Sequence, residues 1–127
     1  MGSLDDYAAV EAVVRDYFEG WFDGTANRMD RALHPDLVKR RGSSATEATV
    51  PITTKAQIME LTLRGEGAAD RGDGRLEIRV DDVHGRIANA TVRGGIYREY
   101  VQLVRTSEGW KIANTLWDTE SEEPRPA

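Results

Sequence analysis

From Leu4 onward apolar side chains return every three or four residues. Tyr7, Val10, Val14, Tyr17 and Trp21 lie on one face of a helix, and Val13 and Phe18 widen that stripe. Ser3 stands where a helix needs an N-cap, with Asp5 and Asp6 suited to the positive end of its dipole. Gly24 suits the stop, and Thr25 the start of a short second helix carrying Met29, Ala32 and Leu33, which Pro35 ends. Residues 37–41 read as a short strand, and the small, polar stretch 42–49 as a loop or hairpin turn. Thr54, followed three residues on by Gln57, has the capping-box spacing. It opens a third helix through Ile58, Leu61 and Thr62, closed at Gly65. Residues 65–74, rich in Gly, Ala and Asp, read as a connection.

After residue 74 the period falls to two. Leu76, Ile78 and Val80 alternate with charged residues, and Ala88, Ala90 and Val92 alternate with Ile87, Asn89 and Thr91. Residues 82–86, with His84-Gly85 at the tip, form a turn between them. Residues 96–106 and 110–118 are two further strands joined by Ser107-Glu108-Gly109. Short connections predict an antiparallel meander. Three helices followed by a meander form an α+β pattern, with helices packed on one face of the sheet. The last two strands are apolar on both sides: Tyr97, Val101 and Leu103 oppose Tyr100 and Val104, while Trp110, Ile112 and Leu116 oppose Ala113 and Trp117. A sheet wet on one side alternates more cleanly, so a second cover is expected on the face away from the helices.

Composition narrows the classes. A chain of 127 residues predicts a single domain over 1–127, with an ordered core at about 4–119 and a frayed tail at 120–127. With 39% hydrophobic and 31% charged residues it is a folding sequence. A net charge of −5 argues against general nucleic-acid binding. The absence of cysteine excludes disulfides, thiol catalysis and thiolate metal sites, and two histidines do not fill a histidine-rich one. No metal and no cofactor are expected. No apolar run approaches the roughly 18 residues of a membrane span, and the N-terminus lacks a signal-peptide pattern. A cytoplasmic protein is the expectation.

Three stretches carry a family resemblance: Tyr17-Phe18-Glu19-Gly20-Trp21; Ala32-Leu33-His34-Pro35-Asp36-Leu37; and the closing run from Tyr100 through Gly109-Trp110-Lys111-Ile112 to Trp117. Together they resemble the NTF2-like superfamily of cone-shaped α+β domains, and within it the lumazine-binding, SnoaL-like branch. The resemblance implies three N-terminal helices packed on a strongly curved antiparallel sheet, a pocket inside the cone, and a homodimer formed through the sheet face. By its register Tyr17, Ala88, Ala90, Val92, Tyr100, Gln102, Thr115 and Trp117 line the pocket, with Trp21 beside them. Ala88 and Ala90 would leave volume for a small hydrophobic or aromatic molecule. The alternative is that the aromatic side chains simply fill the cone.

Steroid isomerases of this superfamily use a carboxylate base on the strand after helix two, with a Tyr and a protonated Asp as donors to an oxyanion. Tyr17 matches the Tyr, the Asp position reads as Tyr100, and residues 38–41 hold no acid. That chemistry is therefore not expected. His34 is the candidate catalytic group, because histidine as a residue type serves acid–base chemistry near neutral pH, with Asp118 or Asp36 to orient it. Otherwise His34-Pro35-Asp36 is turn chemistry. Lys39-Arg40-Arg41 could bind an anionic ligand, but a charge run of this kind is more often a solvated edge strand that resists aggregation. Three functions follow: a small-molecule binder; a cofactor-independent isomerase, cyclase or hydrolase acting on a hydrophobic ring; or a homodimeric interaction domain whose pocket is vestigial.

Overall fold

A computed structural model describes residues 2–46 and 48–120, so the expected tail beyond Glu120 lies outside the described residues. Helix α1 spans Leu4–Asp23. The Ser3 hydroxyl accepts from the Asp6 backbone N–H at 3.1 Å and the Asp6 carboxylate accepts from the Ser3 N–H at 3.3 Å, a capping box built with Asp. Gly24, at φ +68°, provides the left-handed stop. Helix α2, Ala26–Ala32, follows without a side-chain cap from Thr25. Helix α3, Lys55–Leu63, has the expected Thr54/Gln57 box, with bonds of 2.8 and 3.3 Å.

The strands are β1 (Leu33–Arg41), β2 (Ile52–Thr53), β3 (Leu76–His84), β4 (Ile87–Gly94), β5 (Tyr97–Thr106) and β6 (Gly109–Thr119). They form one sheet in the order β2-β1-β6-β5-β4-β3, and every neighbouring pair is antiparallel except β1 and β6. The meander is as the alternation predicts. Strand β1 differs from expectation: it begins at Leu33, so His34-Pro35-Asp36 is extended chain and not a turn. Its register on β6 slips between Leu33 and Val38. Pro35, which has no N–H to give a ladder, sits in that irregularity. Nor is β1 a solvated edge, because Lys39 pairs with Thr53 of β2 on one side and Thr115 of β6 on the other.

Two irregularities decide which residues face the helices. In β6 the register shifts so that Gln102 faces Asn114 while Leu103 faces Ile112, leaving Ala113 extra. This bulge reverses the alternation. Trp110 and Ile112 are buried before it, Thr115 is buried and Trp117 half-buried after it, and Leu116 is turned outward, 47% exposed. Strict alternation had grouped Leu116 with Trp110. In β3 a similar slip at Asp81 lengthens the strand to His84, and the turn shrinks to Gly85-Arg86.

The core lies between the helices and the inner face of the sheet. Val10, Val14, Tyr17, Phe18 and Phe22 of α1 meet Val83, Ala88, Ala90, Val92, Val101, Leu103 and Ile112. Phe22, absent from the sequence stripe, is buried, and Trp21 is half-buried. Ala88 and Ala90 are part of this core, where their small side chains let α1 pack against β3, β4 and β6. Glu120, expected to fray, is tied in: its carboxylate pairs with Arg93 at 2.7 Å and Arg98 at 3.2 Å.

Candidate functional site

One end of the cone is left open inside. A cavity of about 120 Å3 lies between α1, α3 and the sheet. It is lined by Tyr17, Phe18 and Trp21 of α1, Lys39 of β1, Thr53 of β2, Ile58 and Leu61 of α3, Tyr97 and Glu99 of β5, and Trp117 of β6. Each pairing follows from geometry. Positions 17, 18 and 21 share a helix face, and positions 97 and 99 share a strand face. The β6 bulge brings Trp117 inside.

The polar groups of this cavity are concentrated on one wall. Glu99 is fully buried, and the Tyr17 hydroxyl donates to its Oε2 at 2.6 Å. Lys39, with only 14% of its side chain exposed, brings Nζ to 3.2 Å from the same oxygen and also donates to the Tyr17 hydroxyl oxygen. A buried carboxylate is costly unless paired and hydrogen-bonded, and here it is both. The ammonium also lies 4.9, 5.3 and 5.6 Å from the ring centres of Tyr17, Trp117 and Tyr97, within cation–π range. Lys39 therefore faces three rings, two of which, Tyr97 and Trp117, pack edge to face with centres 4.7 Å apart. A second set braces the cavity: Trp21 Nε1 donates to Tyr97 Oη at 3.0 Å and to Asp70 Oδ2 at 3.1 Å, and the Tyr97 hydroxyl donates to Asp70 at 2.5 Å. Asp70 ends the 3-10 turn Glu66–Asp70, within what the sequence presents as a mere connection.

Both phenols are held in the protonated form. Burial pushes Tyr17 well above the ordinary phenol range near 10, and the charge and hydrogen bond of Glu99 push the same way. Burial, then the hydrogen bond to Asp70, raises Tyr97. A group raised on folding stabilises fully below its unfolded value and loses that contribution as pH rises beyond it. Stability is therefore expected to fall above about pH 10, with Tyr17 and Tyr97 ionising only as the chain unfolds. Absorbance at 295 nm and circular dichroism followed together would show this. Tyr17 or Tyr97 ionising at pH 10 in a folded chain would contradict it.

The structure brings some of the expected site residues together and separates others. Tyr17, Trp21 and Trp117 line the cavity, and Thr115 is buried on the same face of β6. Ala88, Ala90 and Val92 face inward, but they belong to the packed core and do not line this cavity. Tyr100 and Gln102 point the other way. Tyr100 is 51% exposed, and Gln102 accepts from Asn114 at 3.2 Å on the outer face. The inward set on β5 is Tyr97, Glu99, Val101 and Leu103, so the inward polar side chain of that strand is Glu99 and not Tyr100. His34 and Asp118 do not line the cavity. His34 Nδ1 accepts from the Asp36 N–H at 3.0 Å, and Asp118 lies 3.5 Å from Arg41. The basic run splits: Lys39 is inside, Arg40 exposed, and Arg41 lies over the Trp117 ring at 4.7 Å. Sequence reasoning missed Tyr97, Glu99 and Asp70 as site residues, and it offered Lys39 only as part of a basic run for an anion. The available signal was that Glu99 is in phase with Tyr97, Val101 and Leu103, an acid in an otherwise buried series. Among the described residues no group of three or more His, Asp or Glu is placed to hold a metal ion, and no helix is long and apolar enough to cross a membrane.

Known structures share this architecture. An NTF2-like protein of unknown function from Silicibacter pomeroyi superposes with a TM-score of 0.72 at 14% identity, covering 94% of this chain and 100% of that one. An NTF2-like protein with a cystatin-like fold from Novosphingobium aromaticivorans gives 0.65 at 16%, covering 94% and 85%. A ketosteroid isomerase-like protein from Erwinia carotovora atroseptica gives 0.60 at 13%, covering 94% and 99%. At these identities the likeness concerns the fold alone. No curated protein matches the sequence. The sequence model of one family, described as Putative lumazine-binding, matches residues 5–118. With that match over most of its length the chain belongs to the Putative lumazine-binding family, and its three helices closing a cone on a six-stranded sheet give it an NTF2-like fold.

Proposed function

We propose that the chain binds a small, flat ring molecule inside the cone. The observation that carries this reading is the cavity itself: five aromatic side chains and two aliphatic ones surround open space, with polar groups gathered at Lys39, Glu99 and Tyr17. Apolar walls with a few convergent polar groups are what a small-molecule site requires, and aromatic walls favour planar rings. The family description, Putative lumazine-binding, names a flat ring compound and supports the planar part of this reading. Calorimetric titration with single-ring compounds tests it. Binding is expected for the native chain, and Leu61→Phe, which fills the cavity from α3, is expected to weaken it at least tenfold. A folded Leu61→Phe chain that binds equally well would place the ligand elsewhere.

The second reading is a homodimer through the outer sheet face. Ile87, Tyr100 and Leu116 are 59, 51 and 47% exposed there. Large exposed side chains on one sheet face, with Tyr100 directly opposite Leu116 in the ladder, suit a second copy of the chain better than water. Sedimentation equilibrium is expected to give twice the mass of the chain, and Tyr100→Glu to halve it. A monomer at micromolar concentration would reject the dimer and leave the cavity reading untouched.

A further inference from the structure

The polar wall of the cavity has hydrogen-bonding capacity left over, and that remainder has a chemical shape. A lysine ammonium carries three N–H donors, and a carboxylate has about four acceptor positions. Lys39 spends donors on Tyr17 and on Glu99. At Glu99, Oε2 takes both Tyr17 and Lys39, whereas Oε1 has only the Lys39 ammonium at 3.5 Å. A donor on Lys39 and an acceptor on Glu99 therefore stand side by side at the lining of the cavity. The pair is neutral as a whole. An anionic ligand would meet Glu99 and a cationic one Lys39, each at close range, so a neutral ligand with adjacent acceptor and donor fits best. Size sets a further limit. An engineered cavity of about 150 Å3 takes one benzene, and this one measures about 120 Å3. That is at most one ring.

From this juxtaposition, and resting on the cavity reading above, we infer that the site selects a single-ring cyclic amide. The ring carbonyl accepts from Lys39 Nζ, the adjacent ring N–H donates to Glu99 Oε1, and the ring plane lies against the indoles of Trp21 and Trp117. A lactam or cyclic imide presents that edge. An arene of the same size leaves both polar groups unanswered, and a fused bicycle exceeds the space.

Two isomeric probes separate recognition of the amide edge from mere filling of the cavity. 4-Methyl-2-pyridone and N-methyl-2-pyridone have the same atoms and nearly the same volume, but the second has no N–H. Titrated into the full chain, the 4-methyl isomer is expected to bind at least tenfold more tightly than the N-methyl isomer, and than toluene or the fused bicycle lumazine. In a Lys39→Met/Glu99→Leu double variant the preference between isomers is expected to vanish. Equal binding of the two pyridones by the native chain would overturn the amide inference while leaving a ring-binding cavity. Lumazine binding as tightly as the pyridone would overturn the size limit. No binding of any ring, toluene included, would sink the cavity reading itself. If the double variant does not fold, the comparison of isomers on the native chain decides alone.

Discussion

Lys39→Met is expected to destabilise the chain by about 3–5 kcal/mol, the usual cost of removing one partner from a buried ion pair. The reason is what it leaves behind. Glu99 is fully buried, and without the ammonium at 3.2 Å its remaining hydrogen-bond partner is the Tyr17 hydroxyl. The companion variant discriminates between a missing attraction and a stranded charge. Lys39→Met/Glu99→Leu removes both charges and puts apolar volume among Tyr17, Tyr97 and Trp117. Replacing a buried pair by packed apolar groups is often neutral or stabilising, so the double variant is expected to recover most of the loss. Urea denaturation of the native, single and double variants measures this directly. A single variant within about 1 kcal/mol of the native chain would mean that water reaches Glu99 freely. A double variant no better than the single would mean that the pair is needed for packing.

Gly67→Ala is expected to cost about 3 kcal/mol, at the upper end of overpacking effects, although it adds one methyl group to what looks like a linker. A Cβ at Gly67 would lie 2.0 Å from the Trp21 carbonyl oxygen and 2.8 Å from the Trp21 indole. Those are backbone and ring atoms that cannot swing aside. The 3-10 turn Glu66–Asp70 would have to lift from α1, and Asp70 would leave Trp21 and Tyr97, whose hydrogen bonds at 3.1 and 2.5 Å brace the cavity. The expected signature is a lowered melting temperature together with weaker ring binding. A stable Gly67→Ala chain that binds normally would show that the turn and the cavity are independent.

Local rules were sufficient for much of the fold. Hydroxyl residues at Ser3 and Thr54, glycine at 24, and the change from helical to two-residue period after residue 74 place the three helices and the meander with little help from tertiary contacts. What escaped was set by pairing between distant strands. Nothing near Pro35 announces that residues 33–41 will lie parallel to β6, a partner some 80 positions away. The extra residue Ala113 is not visible in an apolar run in which either alternation is acceptable, yet it decides that Trp117 faces inward and Leu116 outward. The same ambiguity governs β5. Tyr97 and Tyr100 are both aromatic, and only the charged residue in phase with one of them distinguishes the faces. Taking Tyr100 as the inward residue puts the site on the outer surface and conceals Glu99. Asp70 was hidden for a different reason, since its role depends on a close approach of backbone to backbone that only a glycine at 67 permits.

The measurement that bears most directly on the cone as a binding site is the response of the three indole N–H signals in a 15N-labelled chain titrated with 2-pyridone. Trp21 and Trp117 line the cavity, whereas Trp110 is buried in the core outside it. Saturable shifts of the Trp21 and Trp117 signals, with Trp110 unmoved, are the predicted result. Signals of Trp21 and Trp117 that stay in place while the compound binds, or that move no more than Trp110, would show that the ligand lies outside the cone.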